Sequence, residues 1–210
     1  MVNKTGTKMT FSEDSNFVTL QPDQPWFETV YAPAPLVIVG TREPDGSDDL
    51  APKHMAFPLG WSDYFGFVCT PEHSTYTNAE RAGVFTVSYP RPDNVLEATL
   101  AAAPRDEEGD KPSLEEVETT DAETVDAPAV ADAYAVLECE LEKTVDGFGR
   151  ASLVAGEVVE KHVHTDAYRS DDTEPEELFR RAPSLVYFYP DRFAEVGETQ
   201  AFPFPKGFQR

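Results

Sequence analysis

The chain has 210 residues, 40% of them apolar, and a formal net charge of −22 from 39 acidic against 17 basic side chains. That is material for one cored domain with an arm and an insertion. So acidic a surface argues against nucleic acid or an anionic membrane as partner, because neutralising phosphate needs a basic face.

The acids are spread along the chain, and lysine is scarcer than arginine, seven against ten. This points to a protein built for molar salt, where a Debye length of about 3 Å keeps the acids from repelling one another. In dilute buffer the same charges oppose compaction. An ordinary acidic protein is the alternative reading. Cys69 and Cys139 lie far apart inside apolar patterns and read as reduced, buried thiols. No CxxC supports a zinc site or a dithiol motif. With no charged-then-apolar leader and no run near the ~18 apolar residues of a membrane span, a cytoplasmic location is expected.

In chain order, residues 1–16 are polar and read as an arm, and 17–27 as a segment covering an apolar barrel end. Residues 36–41, apolar and β-branched, predict a buried strand. Asp45-Gly46 supplies the positive φ of a hairpin turn. A second strand is expected over 50–57, a third over 64–70 and a fourth over 84–89. Between the last two, Ser74 or Thr75 is expected to cap a short helix that Gly83 closes.

Two places in this stretch carry polar residues that a barrel strand does not need for packing. One is Lys53-His54-Met55, inside the expected second strand; the other is residues 72–78, EHSTYTN, opening the helix. Hydroxyls, an amide and free N–H groups at a helix N-terminus suit a phosphate, and Lys53 and His54 could approach it or the body of a ligand. The same residues also read as a plain cap plus a solvated lysine.

Further on, Asp93 is expected to cap a helix over 94–103 that Pro104 stops. Residues 105–126 are dense in acids, with Arg105 and Lys111 the two basic side chains; they read as a solvent-facing lid or as a disordered acidic loop. Residues 135–142 alternate as a strand whose Glu138, Glu140 and Glu142 face is mostly wet. After a turn at Asp146-Gly147, a strand follows over 152–164, in which Gly156 marks a bulge or a close backbone approach. His162 and His164 share one face of it. A third ligand at suitable spacing is missing, so surface or dimer-interface histidines are preferred and no metal site is predicted. Thr173 caps a helix ending at Arg181, residues 184–189 form a closing strand, and the tail over 200–210 carries Phe202, Phe204 and Phe208. Three phenylalanines in so short a tail are expected to pack on the body or on a partner subunit.

The order and spacing of residues 37–41, Asp45-Gly46, Asp49-Leu50-Ala51-Pro52, 53–56 and Thr75-x-x-Asn78 resemble the flavin reductase-like, FMN-binding split-barrel family. Its members include flavoredoxins and NAD(P)H:flavin oxidoreductases. The stretches AYAVLECELEKTVDGFGRASLVAGEVVEKHV and SLVYFYPDRFAEVGE extend the likeness over most of residues 30–197. It implies a mainly β fold with short helices, an FMN-binding split β-barrel over 30–197, between an arm and covering segment at 1–29 and a tail at 198–210. It also implies FMN as cofactor, NAD(P)H as co-substrate, and a homodimer with flavin near the subunit interface. Ser74, Thr75, Asn78 and the helix N–H groups would hold the 5′-phosphate. Lys53 would offset charge on the phosphate or on the N1–O2 edge of reduced flavin. His54, Met55 and Ala56 would run beside the ring, with Thr70 near them. No catalytic side chain is required, because the cofactor carries the chemistry.

Two residues depart from the family pattern: Asp49 stands for a usual Asn, and His54 for a usual Ser. No GxSxG, GxxxxGK[ST], HExxH or GxGxxG occurs, so a nicotinamide would bind without a Rossmann unit. The expected activity is a flavin reductase. A flavoredoxin-like electron carrier, a flavin-binding module without turnover, and a barrel that has lost its flavin are the alternatives. The choice between NADH and NADPH, and the electron acceptor, small molecule or protein, are not legible.

If the charge reading is right, the melting temperature rises as KCl is raised from millimolar to multimolar. A flat series removes it.

Overall fold

The computed structural model describes residues 16–107, 109–170 and 172–207. The expected arm, up to residue 15, and Phe208 of the tail lie outside the described residues. A single helical turn, α1 (Trp26–Thr29), precedes strands β1 (Pro33–Pro35), β2 (Val37–Arg42), β3 (Asp48–Lys53), β4 (Ala56–Pro58) and β5 (Tyr64–Cys69). Helix α2 (Ser74–Ala82), strand β6 (Val84–Tyr89) and helix α3 (Val95–Ala101) follow. Then come β7 (Thr119–Asp121), β8 (Pro128–Val130), the long pair β9 (Ala135–Phe148) and β10 (Ala151–Val163), helix α4 (Pro175–Arg181), and β11 (Ser184–Phe188) and β12 (Arg192–Val196).

Seven strands form one antiparallel sheet in the order β3-β2-β6-β9-β10-β5-β4. Strands β3 and β4 are separated in the chain by His54 and Met55 alone, yet they occupy opposite edges of that sheet. Laid flat at about 4.8 Å per strand, the two edges would stand about 29 Å apart. A two-residue link reaches roughly 10 Å. The sheet therefore curls until its edges nearly meet, which makes it a split barrel. The single strand expected over 50–57 is thus two strands. The chain leaves β2 as its neighbour and takes up β5, and the Val68 N–H donates to the Met55 carbonyl at 2.8 Å just beyond the break.

The period-2 alternation of β2 explains why it reads as apolar throughout. Val37 and Val39 face the barrel interior with Phe65, Phe67, Phe85 and Val87. Leu36 and Ile38 face a second core with Leu50, Ala98, Ala101, Val130 and Leu185. Gly40 is where β8 crosses β2: a Cβ there would lie 1.9 Å from the Pro128 carbonyl oxygen. Gly156 sits at a register shift of β10, and a Cβ on it would strike the Phe85 ring at 2.7 Å. Both cysteines are buried and unbridged, and burial, with the Glu138 charge, pushes the Cys139 thiol up to about 12. A separate, three-stranded sheet, β1-β11-β12, packs beside the barrel.

Several helix starts differ from expectation. Asn94, not Asp93, precedes α3, after a 3-10 turn over Pro92–Asn94, and Glu174, not Thr173, precedes α4. In the tail, Phe202 rests against Phe204 with ring centroids 4.6 Å apart and stays 72% exposed, so it does not pack on the body of its own chain. No helix among the described residues is long and apolar enough to cross a membrane.

The acidic excursion is ordered against the barrel. It forms a 3-10 turn (Pro112–Glu116) and the β7–β8 pair, and it seats Leu114 and Val117 on the second core. The face of β9 expected to be wet is covered by it at Glu138, which is 1% exposed. Alternation alone gave no sign of that second layer. The Glu138 carboxylate accepts the N–H groups of Glu123 (2.9 Å), Thr124 (2.7 Å) and Val125 (3.1 Å), a three-amide nest, and meets His162 Nε2 at 2.8 Å. Burial works to raise its pKa, but these hydrogen bonds outweigh burial and hold the carboxyl below its ordinary value.

A carboxylate whose folded pKa is depressed stabilises the fold above its unfolded pKa of about 4.3. That contribution fades as pH falls through the lower folded value. Glu138→Gln should therefore cost about 1–3 kcal/mol near neutral pH, and the gap to wild type should close below about pH 4. Denaturant melts across pH check this; a gap independent of pH contradicts it.

Candidate functional site

The helix after β5 begins without a side-chain cap. His73 holds the cap position, and Ser74, expected there, is the first helical residue. The first intrahelical bonds run from the Tyr76 and Thr77 N–H groups to the His73 carbonyl, so the N–H groups of Ser74 and Thr75 precede them in the first turn. Gly83, at φ 72°, closes the helix as expected.

Near the helix start lies a buried carboxylate, which meets the helix through the Thr75 hydroxyl. Asp49, 2% exposed on β3, accepts the hydroxyls of Thr41 (3.3 Å) and Thr75 (3.2 Å) and an N–H of Arg105 Nη2 (2.7 Å). The Lys111 ammonium lies 3.9 Å away and donates to the carbonyls of Leu50 (2.7 Å) and Ala101 (2.6 Å). Burial pulls the Lys111 pKa down, and Asp49 pushes back against that. Arg105 is shared with Glu43 and donates to the Gly109 carbonyl at 2.8 Å. Asn78 turns inward as well: it donates to Thr41 Oγ1 at 3.4 Å and meets Arg81 at 3.5 Å.

Above Asp49 opens a cavity of about 550 Å³ walled by Pro52, Lys53, His73, Ser74, Thr75, Arg105 and Lys111, with Ala101–Pro104 along one side. A second cavity of about 290 Å³ shares Pro52, Lys53 and His73 with it, and adds His54, Met55, Val68 and Thr70. A third, of about 420 Å³ and mostly apolar, lies beyond Pro52 and His54 against Tyr187, Phe193 and helix α3. Of the expected site residues, Lys53, Ser74 and Thr75 meet on the first cavity, and Lys53, His54, Met55 and Thr70 on the second. Ala56 and Asn78 are buried behind these walls.

His54 sits at the crossover with its ring 5.2 Å from that of Tyr187 and 5.9 Å from that of Tyr189. Burial, and then the Lys53 charge, pull its pKa below the ordinary imidazole value, so it is neutral at pH 7. Its Nε2 is buried with no hydrogen-bond partner among the described residues.

The sequence reading missed Arg105, Lys111 and the role of Asp49 as their counter-charge. A signal existed: Arg105 and Lys111 are lone cations in a strongly acidic stretch, which is where a basic residue needs a reason. The walls of the first cavity thus hold three cations and a helix N-terminus inside a chain of charge −22. That combination suits a ligand with a phosphate at one end. No group of three His, Cys, Asp or Glu among the described residues is placed to hold a metal ion.

Comparison with known proteins agrees with this architecture. No curated protein sequence gives a match. Among solved structures, the chain is similar to the flavoredoxin of Desulfovibrio vulgaris (Miyazaki F), at 21% identity and a TM-score of 0.72, covering 91% of this chain and 100% of that one. It is similar to nitrilotriacetate monooxygenase component B from Bacillus cereus, at 20% identity and a TM-score of 0.74, covering 90% and 100%. An FMN-binding protein from Thermus thermophilus matches at 18% identity and a TM-score of 0.71, covering 90% and 99%. At these identities the likeness speaks for the fold, a mainly β split barrel with few short helices. The model of the flavin reductase-like domain matches residues 30–197, well over half of the sequence, and the chain therefore belongs to the flavin reductase-like domain family.

Proposed function

We propose that the protein is an FMN-binding flavin reductase that takes hydride from NAD(P)H onto its flavin. The observation that carries this reading is the cationic cavity at the start of α2, which adjoins a second cavity along the His54–Met55 crossover. A flavin mononucleotide has the same layout: an anionic end joined to a flat ring. In this reading the phosphate lies toward Lys53 and the N–H groups of Ser74 and Thr75. Because the Thr75 hydroxyl donates to Asp49, its contribution to the ligand is its backbone N–H, and Asn78 supports the wall through Thr41. His54 and Met55 border the ring, with Thr70 at the far wall. Bound flavin supplies the hydride and electron chemistry; the chain binds and orients it.

A two-fold homodimer belongs to the same reading. The β4–β5 hairpin presents Phe57, 44% exposed, and Trp61, fully exposed, and such side chains favour a partner surface. A second reading, an electron carrier without a pyridine-nucleotide site, draws support from the fold likeness to a flavoredoxin.

The test is FMN titration of the purified protein in molar KCl, followed by anaerobic addition of NADH or NADPH. The expected result is a yellow protein, a dimer of the 23.3 kDa chain by light scattering, whose visible band bleaches with one of the two nucleotides. Failure to bind FMN removes the reading. A yellow protein that neither nucleotide bleaches selects the carrier.

A further inference from the structure

We propose that the third cavity, between helix α3 and the β11–β12 hairpin, is a binding site for a planar, uncharged aromatic ligand, set beside the flavin ring cavity and divided from it by His54. The site stands on its own geometry; only its closeness to the flavin ring rests on the flavin reading above.

Three ring-bearing side chains from separate parts of the chain meet at this cavity. Tyr187 and Phe193 are register partners on β11 and β12, so they stand side by side on one face of the small sheet. The His54 ring lies 5.2 Å from that of Tyr187. The helix side is formed by Val95, Ala98, Thr99 and Ala102, which follow the spacing of one helix face. With alanine at two of those four positions, that wall is low and leaves a slot between helix and sheet. The slot holds about 420 Å³, within the roughly 300–1,000 Å³ of small-ligand pockets. Phe193 is 52% exposed, an apolar ring that a ligand in the slot would cover.

The polar groups of the lining are committed elsewhere. The Thr99 hydroxyl donates to the Val95 carbonyl at 3.0 Å, and the Tyr187 hydroxyl to the Pro190 carbonyl. Asp191 and Arg192 are mostly exposed and lie 3.9 Å from each other, one charge of each sign. His54 is held neutral and its Nε2 is buried, so it presents ring surface. A charged ligand entering here would shed water without gaining a partner. An uncharged ring gains offset or edge-to-face contacts with the aromatic walls. His54 also lines the cavity along the crossover, so a ring in the slot sits one imidazole away from the flavin ring and leaves that cavity free.

The experiment is a calorimetric titration in molar KCl at pH 7 with 2-naphthol and with 2-naphthoate, the same two rings without and with a negative charge. Wild type should bind 2-naphthol with a Kd of about 1 mM or tighter and 2-naphthoate at least about tenfold more weakly. Thr99 is exposed and lines this cavity and neither of the other two. Thr99→Phe fills the slot and should weaken 2-naphthol by about tenfold or more, and Phe193→Ser, which removes one wall, should weaken it several-fold. Both variants should bind FMN within about twofold of wild type, and saturating FMN should leave 2-naphthol bound. If one variant fails to fold, the other carries the test. The proposal is overturned if wild type takes up no 2-naphthol, if 2-naphthoate binds as tightly, or if a folded variant binds 2-naphthol like wild type. Displacement of 2-naphthol by FMN would place the ring in the flavin cavity and overturn it as well. A protein that binds 2-naphthol in this pattern but no FMN would remove the flavin reading and leave this site standing.

Discussion

The architecture depends on a length constraint. Two residues, His54 and Met55, join strands at opposite edges of a seven-stranded sheet. That link can be met only if the sheet rolls up, and the roll brings the end of β3, the end of β5 and the start of α2 to one place. The three cavities all touch Pro52 or His54 for the same reason. The site is thus a by-product of closure: where the barrel nearly shuts, backbone leaves regular pairing and side chains of different strands converge.

Charge organises the layer outside the barrel. Two buried carboxylates fasten the excursion at its two ends, Asp49 through Arg105 and Lys111, and Glu138 through the amides of residues 123–125. Arg42 also reaches Asp121 at 2.7 Å and Asp126 at 3.3 Å, but both of these carboxylates are exposed. In a chain so rich in acids, carboxylates alone on a surface do little. Those placed under a turn or between cations do the fastening, because low exposure keeps solvent and salt from screening them.

Strands such as 36–41 and 84–89 were legible because their β-branched, apolar runs are short and end at turn residues, a local pattern that favours a buried strand. The end of α2 was legible for the same reason, since Gly83 alone can take its positive φ without strain. The break at His54-Met55 was not, because local propensity cannot tell a strand that continues from one that changes partner. Glu138 was misread because alternation reports two faces and says nothing of a further layer laid over one of them. At the site, Lys53, Ser74 and Thr75 were found from their types and spacing. Asp49, Arg105 and Lys111 meet across 56 and 62 positions of chain, and that kind of pairing is set by the fold, not by neighbours in sequence.

A barrel that stops short of closing keeps two edges, and so does the small sheet beside it. Of their four outer strands, β1 carries Pro33 and Pro35, β3 Pro52 and β4 Pro58, while β12 carries none. Each proline deletes one backbone donor from an exposed rim. In concentrated salt, where repulsion between acidic surfaces dies out within about 3 Å, charge cannot keep neighbouring molecules from adding strand to strand. The missing donors work at any ionic strength, so at these three strands the backbone itself opposes strand addition where charge is screened.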